Sequence, residues 1–84
     1  MIVPAQWVDD RLAGAPPSLC DRIRLAIDRH GLDLRRSADA VLREALSAAP
    51  SRETAVTLLA ADALVTLACE YAAEVRPDVL GGLQ

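Results

Sequence analysis

Apolar residues recur along this chain at spacings of three and four, and no segment alternates with period two over a useful length. Spacings of three and four gather side chains on one side of a helix, whereas a half-buried strand needs alternation. The pattern predicts an all-α chain, a small bundle of four helices over residues 4–13, 19–30, 34–49 and 52–76. The first is short, the last is long, and residues 77–84 read as a frayed tail.

Each predicted helix carries its own punctuation. Pro4 suits a first helical position and Gly14 the residue past the end of the first helix. Trp7, Val8 and Leu12 give that helix a short apolar edge. Ala15-Pro16-Pro17 is a stiff connector, after which Ser18 reads as an N-cap with Asp21 three residues on. Leu19, Ile23, Ala26 and Ile27 mark the buried stripe of the second helix, which Gly31 ends. Asp33 can cap the third helix, whose predicted buried stripe is Leu34, Ala38, Val41, Leu42, Ala45, Leu46 and Ala49. Its other side carries Arg35, Arg36, Asp39, Arg43 and Glu44, and Pro50 stops it.

The fourth helix is the most informative. From its Ser51 cap to Arg76 it would be roughly 39 Å long. Ala60, Leu64, Leu67, Ala68, Tyr71 and Val75 form one apolar face, with Ala61 at its edge. Arg52, Asp62, Thr66 and Glu70 share the opposite side, and Leu58, Leu59, Val65 and Cys69 intrude around that polar strip. A helix apolar over so much of its circumference is generally covered on several sides. The second and third helices can cover one face, and the first is too short to cover the rest. A symmetry-related copy is the expected cover, because closed two-fold dimers are the commonest soluble oligomers. The alanines fit close helix approach, although helix propensity alone also explains them.

Composition sharpens this picture. The 84 residues contain one Trp, one Tyr and no Phe, so the chain has limited means to build a core alone. The net charge of −3 argues against a polycation built to hold nucleic acid. All nine basic residues are Arg, which fits a GC-rich coding genome. Two cysteines do not make a disulfide scaffold. The start, Met1-Ile2-Val3-Pro4, lacks the basic and apolar segments of a secretory signal. The longest apolar stretch, Ala55 to Cys69, falls short of the roughly 20 residues that span a bilayer and contains Asp62. A cytoplasmic protein with no membrane association is the expectation.

Candidate chemistry is sparse. Asp62 is either a buried carboxylate used in proton transfer or cation binding, an interface residue paired with Arg, or an exposed member of the polar strip. The last is the simplest. Cys20 and Cys69 could pair if their helices meet, but buried free cysteines usually act as small apolar residues. The lone histidine, His30, sits where helix capping explains it, and there is no metal-ligand spacing or Glu-x-x-His motif. Arg29, His30, Arg35 and Arg36 bracket the turn at Gly31 and make a possible anion patch, with solvated surface as the plainer reading. Gly81-Gly82 lacks the sequence context of a conjugation tail.

These readings point to a non-enzymatic interaction module, a bacterial accessory subunit or adaptor, without cofactor or metal. It would act through an apolar helical surface comprising Trp7, Leu58, Leu59, Val65, Cys69 and Tyr71, and bind itself or a larger protein. One alternative is a small regulator binding nucleic acid through the Arg patch at the turn between the second and third helices. Another is a small-ligand or redox protein centred on Asp62 and Cys69.

Overall fold

The computed structural model describes residues 1–75. Among them are four helices and no strand: α1 (Ala5–Leu12), α2 (Pro17–His30), α3 (Leu34–Ser47) and α4 (Arg52–Val75). The expected all-α bundle is what forms, with the short helix first and the long one last. Arg76 and the tail at 77–84, with Pro77 and Gly81-Gly82, lie outside the described residues.

Local chemistry sets most of the ends. Asp33 accepts a long 3.5 Å bond from the Arg36 backbone N–H at the start of α3, and Ser51 Oγ accepts from the Thr54 N–H at 3.0 Å at the start of α4, so both N-caps are made. Gly31 ends α2 at φ +94°, donating its N–H to the Ile27 carbonyl at 2.8 Å. That left-handed φ suits a residue without Cβ. The predicted cap at Ser18 is corrected. The α2 helix begins two residues earlier, with Pro16 as the flanking residue, Pro17 as the first helical residue and no side-chain cap. The fixed φ of proline pre-organises a first turn whose orphan N–H it lacks. The α3 helix likewise ends at Ser47 rather than at residue 49.

The core is one cluster. Ile23 and Ala26 of α2, Leu34, Ala38 and Val41 of α3, and Ala60, Ala61, Leu64 and Leu67 of α4 pack together, joined by Val3, Val8 and Leu12. Alanine at Ala38, Ala60 and Ala61 lets the α3–α4 hairpin pack closely, and this is the most extensive helix contact. The N-terminal segment joins by backbone: Val3 N–H donates to the Leu32 carbonyl at 2.9 Å, and Ile2 and Asp33 form an isolated antiparallel bridge.

Buried polar groups are satisfied. Ser37 is fully buried and its hydroxyl donates to the Gly31 carbonyl at 2.7 Å. Thr57 bonds the Glu53 carbonyl one turn back.

The predicted α3 stripe was too wide. Leu42 and Leu46 are 41% and 73% exposed, and Ala49 is exposed beyond the helix end. Leu34, Ala38, Val41 and Ala45 centre the stripe that meets α4, and Leu42 and Leu46 lie round its edge on the open side. Val75, placed on the inner face of α4, is also exposed.

Candidate interaction surface

The inner side of α4 is committed to the chain's own core, its buried residues being Thr57, Ala60, Ala61, Leu64 and Leu67. At 100° per residue, the side turned away from them holds Ala55, Leu58, Asp62, Val65 and Cys69, with Leu59 and Thr66 flanking. All seven are exposed. Leu58, Leu59 and Val65 are 42%, 58% and 50% exposed. One charge, that of Asp62, lies within this strip. Four turns of apolar surface with a single carboxylate form the main uncovered feature of α4, and contiguous apolar patches of this kind mark association sites.

Asp62 is therefore not the buried carboxylate that the sequence allowed. It is exposed, because its angular position puts it beside Leu58, Val65 and Cys69 rather than toward Leu64. Its backbone carbonyl accepts from the Thr66 hydroxyl at 3.1 Å. Cys69 is exposed and Cys20 half-buried, both as free thiols. Cys20 Sγ donates to the carbonyls of Leu12 and Ala15 at 3.5 and 3.6 Å, so it ties the α1–α2 connector. Asp62 and Cys69 both stand on open surface.

Trp7 and Tyr71, expected as anchors for a partner, are instead engaged with each other. Both are half-buried, their rings meeting edge to face with centroids 5.2 Å apart. Around them a clasp holds α1 to the last turns of α4. Trp7 Nε1 donates to Glu74 at 2.6 Å. Arg11 donates to Glu70 at 2.6 Å and also to Glu74, with its guanidinium 4.6 Å from the Trp7 ring centroid. So α1, short as it is, covers part of the C-terminal half of α4. Sequence periodicity could not find this clasp, since its partners lie some 60 residues apart.

The Arg patch is exposed at Arg29, His30, Arg35 and Arg36. Beside it lies a dimple of about 10 Å³ whose lining includes Arg29, His30 and Glu44, about the room one water occupies. Glu44 and the exposed Asp39–Arg43 pair at 3.1 Å place acidic groups on the same helix. Asp33 lies at the turn itself. Desolvation pushes its carboxyl up, but the Arg36 backbone N–H, the Met1 ammonium and the Arg36 guanidinium outweigh this and hold it below its ordinary value. A wider cleft of about 370 Å³ lies between α1 and α2, floored by Val8, Ile27 and Leu32. The Asp9–Arg24 ion pair at 2.8 Å spans it. Among the described residues no group of three or more His, Cys, Asp or Glu is placed to hold a metal.

By length and composition alone, α4 is apolar enough to cross a membrane, with mean hydropathy 1.5 over its most apolar 18 residues. The expectation from sequence counted only the apolar stretch from Ala55 to Cys69, whereas the helix continues to Val75. The core helix of a bundle meets the same description, and α4 contributes four residues to the core cluster. Comparison with protein-family models, with curated proteins and with solved structures finds no match.

Proposed function

We propose that this chain is a non-enzymatic interaction module whose docking surface is the outer side of α4, and that a second copy of the chain is its first occupant. The observation that carries the reading is the exposure of Leu58, Leu59 and Val65 on a helix whose opposite side is already packed. Leu42 and Leu46 on α3 add exposed apolar area to the same two-helix hairpin. Covering a leucine of this kind contributes on the order of 1 kcal/mol, given that it starts half-exposed. Several such residues on each partner offset the cost of association. The role that follows is that of an accessory subunit or adaptor, and a larger protein could occupy the surface in place of the second copy.

Light scattering across a concentration series tests this. A mass of twice the chain at micromolar concentration supports the reading, and a monomer throughout contradicts it. The Arg patch supports a weaker second reading, anion or nucleic-acid binding, because Arg29, Arg35 and Arg36 have no ion-pair partner among the described residues. Binding to duplex DNA or RNA that weakens steeply with salt, and is lost on charge reversal at Arg35 and Arg36, would favour it.

A further inference from the structure

We propose that the segment from Ile2 to Leu12 is a strap that opens as one unit about Gly14 while α2, α3 and α4 stay folded together. Closed, it occupies Glu70, Tyr71 and Glu74 in the last turns of α4. This goes beyond the interaction reading and does not depend on it, since it concerns another side of α4.

The strap is packed differently from the rest of the chain. Helices α2, α3 and α4 meet one another in every pairing, whereas α1 makes no comparably extensive contact with any of them. Val3, Val8 and Leu12 are the strap's share of the core cluster, and its other buried members all come from α2, α3 and α4. Those three helices therefore keep a core of their own when the strap leaves. Beyond its three buried side chains and the Trp7–Tyr71 contact, the strap is fastened at the surface. Val3 N–H donates to the Leu32 carbonyl at 2.9 Å. Asp9 pairs with Arg24, and Arg11 pairs with Glu70 and Glu74. Each of these charged side chains is more than a third exposed, so water and salt compete for it. The cleft of about 370 Å³ over Val8, Ile27 and Leu32 leaves the seat of α1 on α2 incomplete.

The connector supplies a hinge. Helix α1 ends at Leu12 and α2 begins at Pro17. Pro16 and Pro17 have their φ angles fixed by the ring, so rotation concentrates on Ala13, Gly14 and Ala15. Gly14 is exposed at φ +87°, with open space where a Cβ would stand, and glycine moves between backbone regions closed to other residues. Little crosses this hinge. Ala15 N–H donates to the Leu12 carbonyl at 3.1 Å, and the Cys20 thiol donates weakly to the same carbonyl at 3.5 Å. Once released, a helix of 8 residues does not persist in water, so the whole strap opens or none of it does. Opening frees an aromatic ring between two carboxylates one turn apart. A partner reaching that end of α4 has to displace Trp7 and Arg11 first, which makes the strap a built-in competitor.

Native-state hydrogen exchange on the full chain, followed amide by amide by NMR, tests this. Val3, Val8 and Leu12 are expected to share one level of protection, roughly tenfold or more below that of Val41 and Leu64. In sub-denaturing urea the strap's protection should fall with a shallow slope, because opening exposes little surface, while that of Val41 and Leu64 falls steeply. Molar NaCl should lower the strap's protection severalfold. Val41→Ala weakens the three-helix core alike in the closed and open forms. It should speed exchange at Leu64 and leave Val8 and Leu12 unchanged. Equal protection and equal urea slopes for α1 and α4, or a Val41→Ala chain in which α1 speeds up in step with Leu64, would show that α1 opens only with the whole chain and overturn the proposal. Protection that declines residue by residue toward Ile2 would show fraying in place of a hinge and overturn it equally. Unchanged protection in molar NaCl would overturn the ionic fastening.

Discussion

The indole of Trp7 meets the ring of Tyr71 edge to face, at an interplanar angle of 77°. This contact fixes a helix of only 8 residues, far too short to persist alone in water, against the last turns of α4. Edge-to-face pairs contribute about 0.5–1.5 kcal/mol beyond their buried area. With the area term included, Trp7→Ala should cost roughly 2–3 kcal/mol, a large share of the stability of so small a domain. Urea denaturation followed by circular dichroism measures this. Loss of less than about 0.5 kcal/mol would mean that α1 is held by Val3, Val8 and Leu12 alone.

Arg11 bridges Glu70 and Glu74 while lying against Trp7, but all three charged side chains are about two-fifths exposed. Solvent screening keeps such pairs near or below about 1 kcal/mol, and the contact with the indole adds a similar amount. Arg11→Ala should therefore destabilise by about 1 kcal/mol, much less than Trp7→Ala, and part of that difference should fade in molar salt. Equal losses at low and high salt would assign the effect to packing of the Arg11 stem.

The depressed Asp33 carboxyl gives a pH dependence of defined sign. Its folded value lies below the unfolded one near 3.9. The stability it adds is therefore present above the unfolded value and lost as pH falls through the folded value. The stability gap between wild type and Asp33→Ala should be constant from pH 7 to about 5 and close below about pH 4. Thermal unfolding of both chains across that range measures the gap, and a gap that widens on acidification would contradict the assignment.

Gly31 and Ser37 work as a pair at the α2–α3 turn, the Ser37 hydroxyl satisfying the Gly31 carbonyl. An added Cβ at Gly31 meets nothing within 4 Å, so the cost of Gly31→Ala is conformational: φ +94° with ψ −178° is a region open essentially to glycine alone, and an alanine there costs about 1–3 kcal/mol. Ser37→Ala removes a buried hydroxyl and its bond to the Gly31 carbonyl and should also cost about 1 kcal/mol. Equilibrium denaturation of the two single variants checks both values. Adding Ser37→Ala to Gly31→Ala should cost less than the sum, because the pair shares one turn.

Local chemistry was legible in the amino-acid sequence and lateral neighbours were not. Asp33, Ser51, Gly14 and Gly31 act through backbone groups within a few residues, so their types and spacing were enough to place helix ends. Ser18 was misread because a proline two residues before the expected start competes for the same role, and proline starts the first turn without any side-chain acceptor. Leu42 and Leu46 were misread because a helical wheel gives the angle of a stripe but not its width, which depends on how far α2 and α4 wrap around α3. Trp7 and Tyr71 were recognised as adhesive without their target, since the contact closes 64 residues of chain. Asp62 and its apolar neighbours could be assigned to a common side of α4, but only the packed bundle separates that side from the core.

The most direct measurement is the sedimentation mass of wild type beside a Leu58→Glu/Val65→Glu variant. Both positions are about half exposed, so the variant should keep its helical circular dichroism. The account predicts a concentration-dependent dimer for the wild type and a monomer for the variant at every concentration. A wild-type chain that remains monomeric to the millimolar range, or a variant that dimerises as well as the parent, would contradict it.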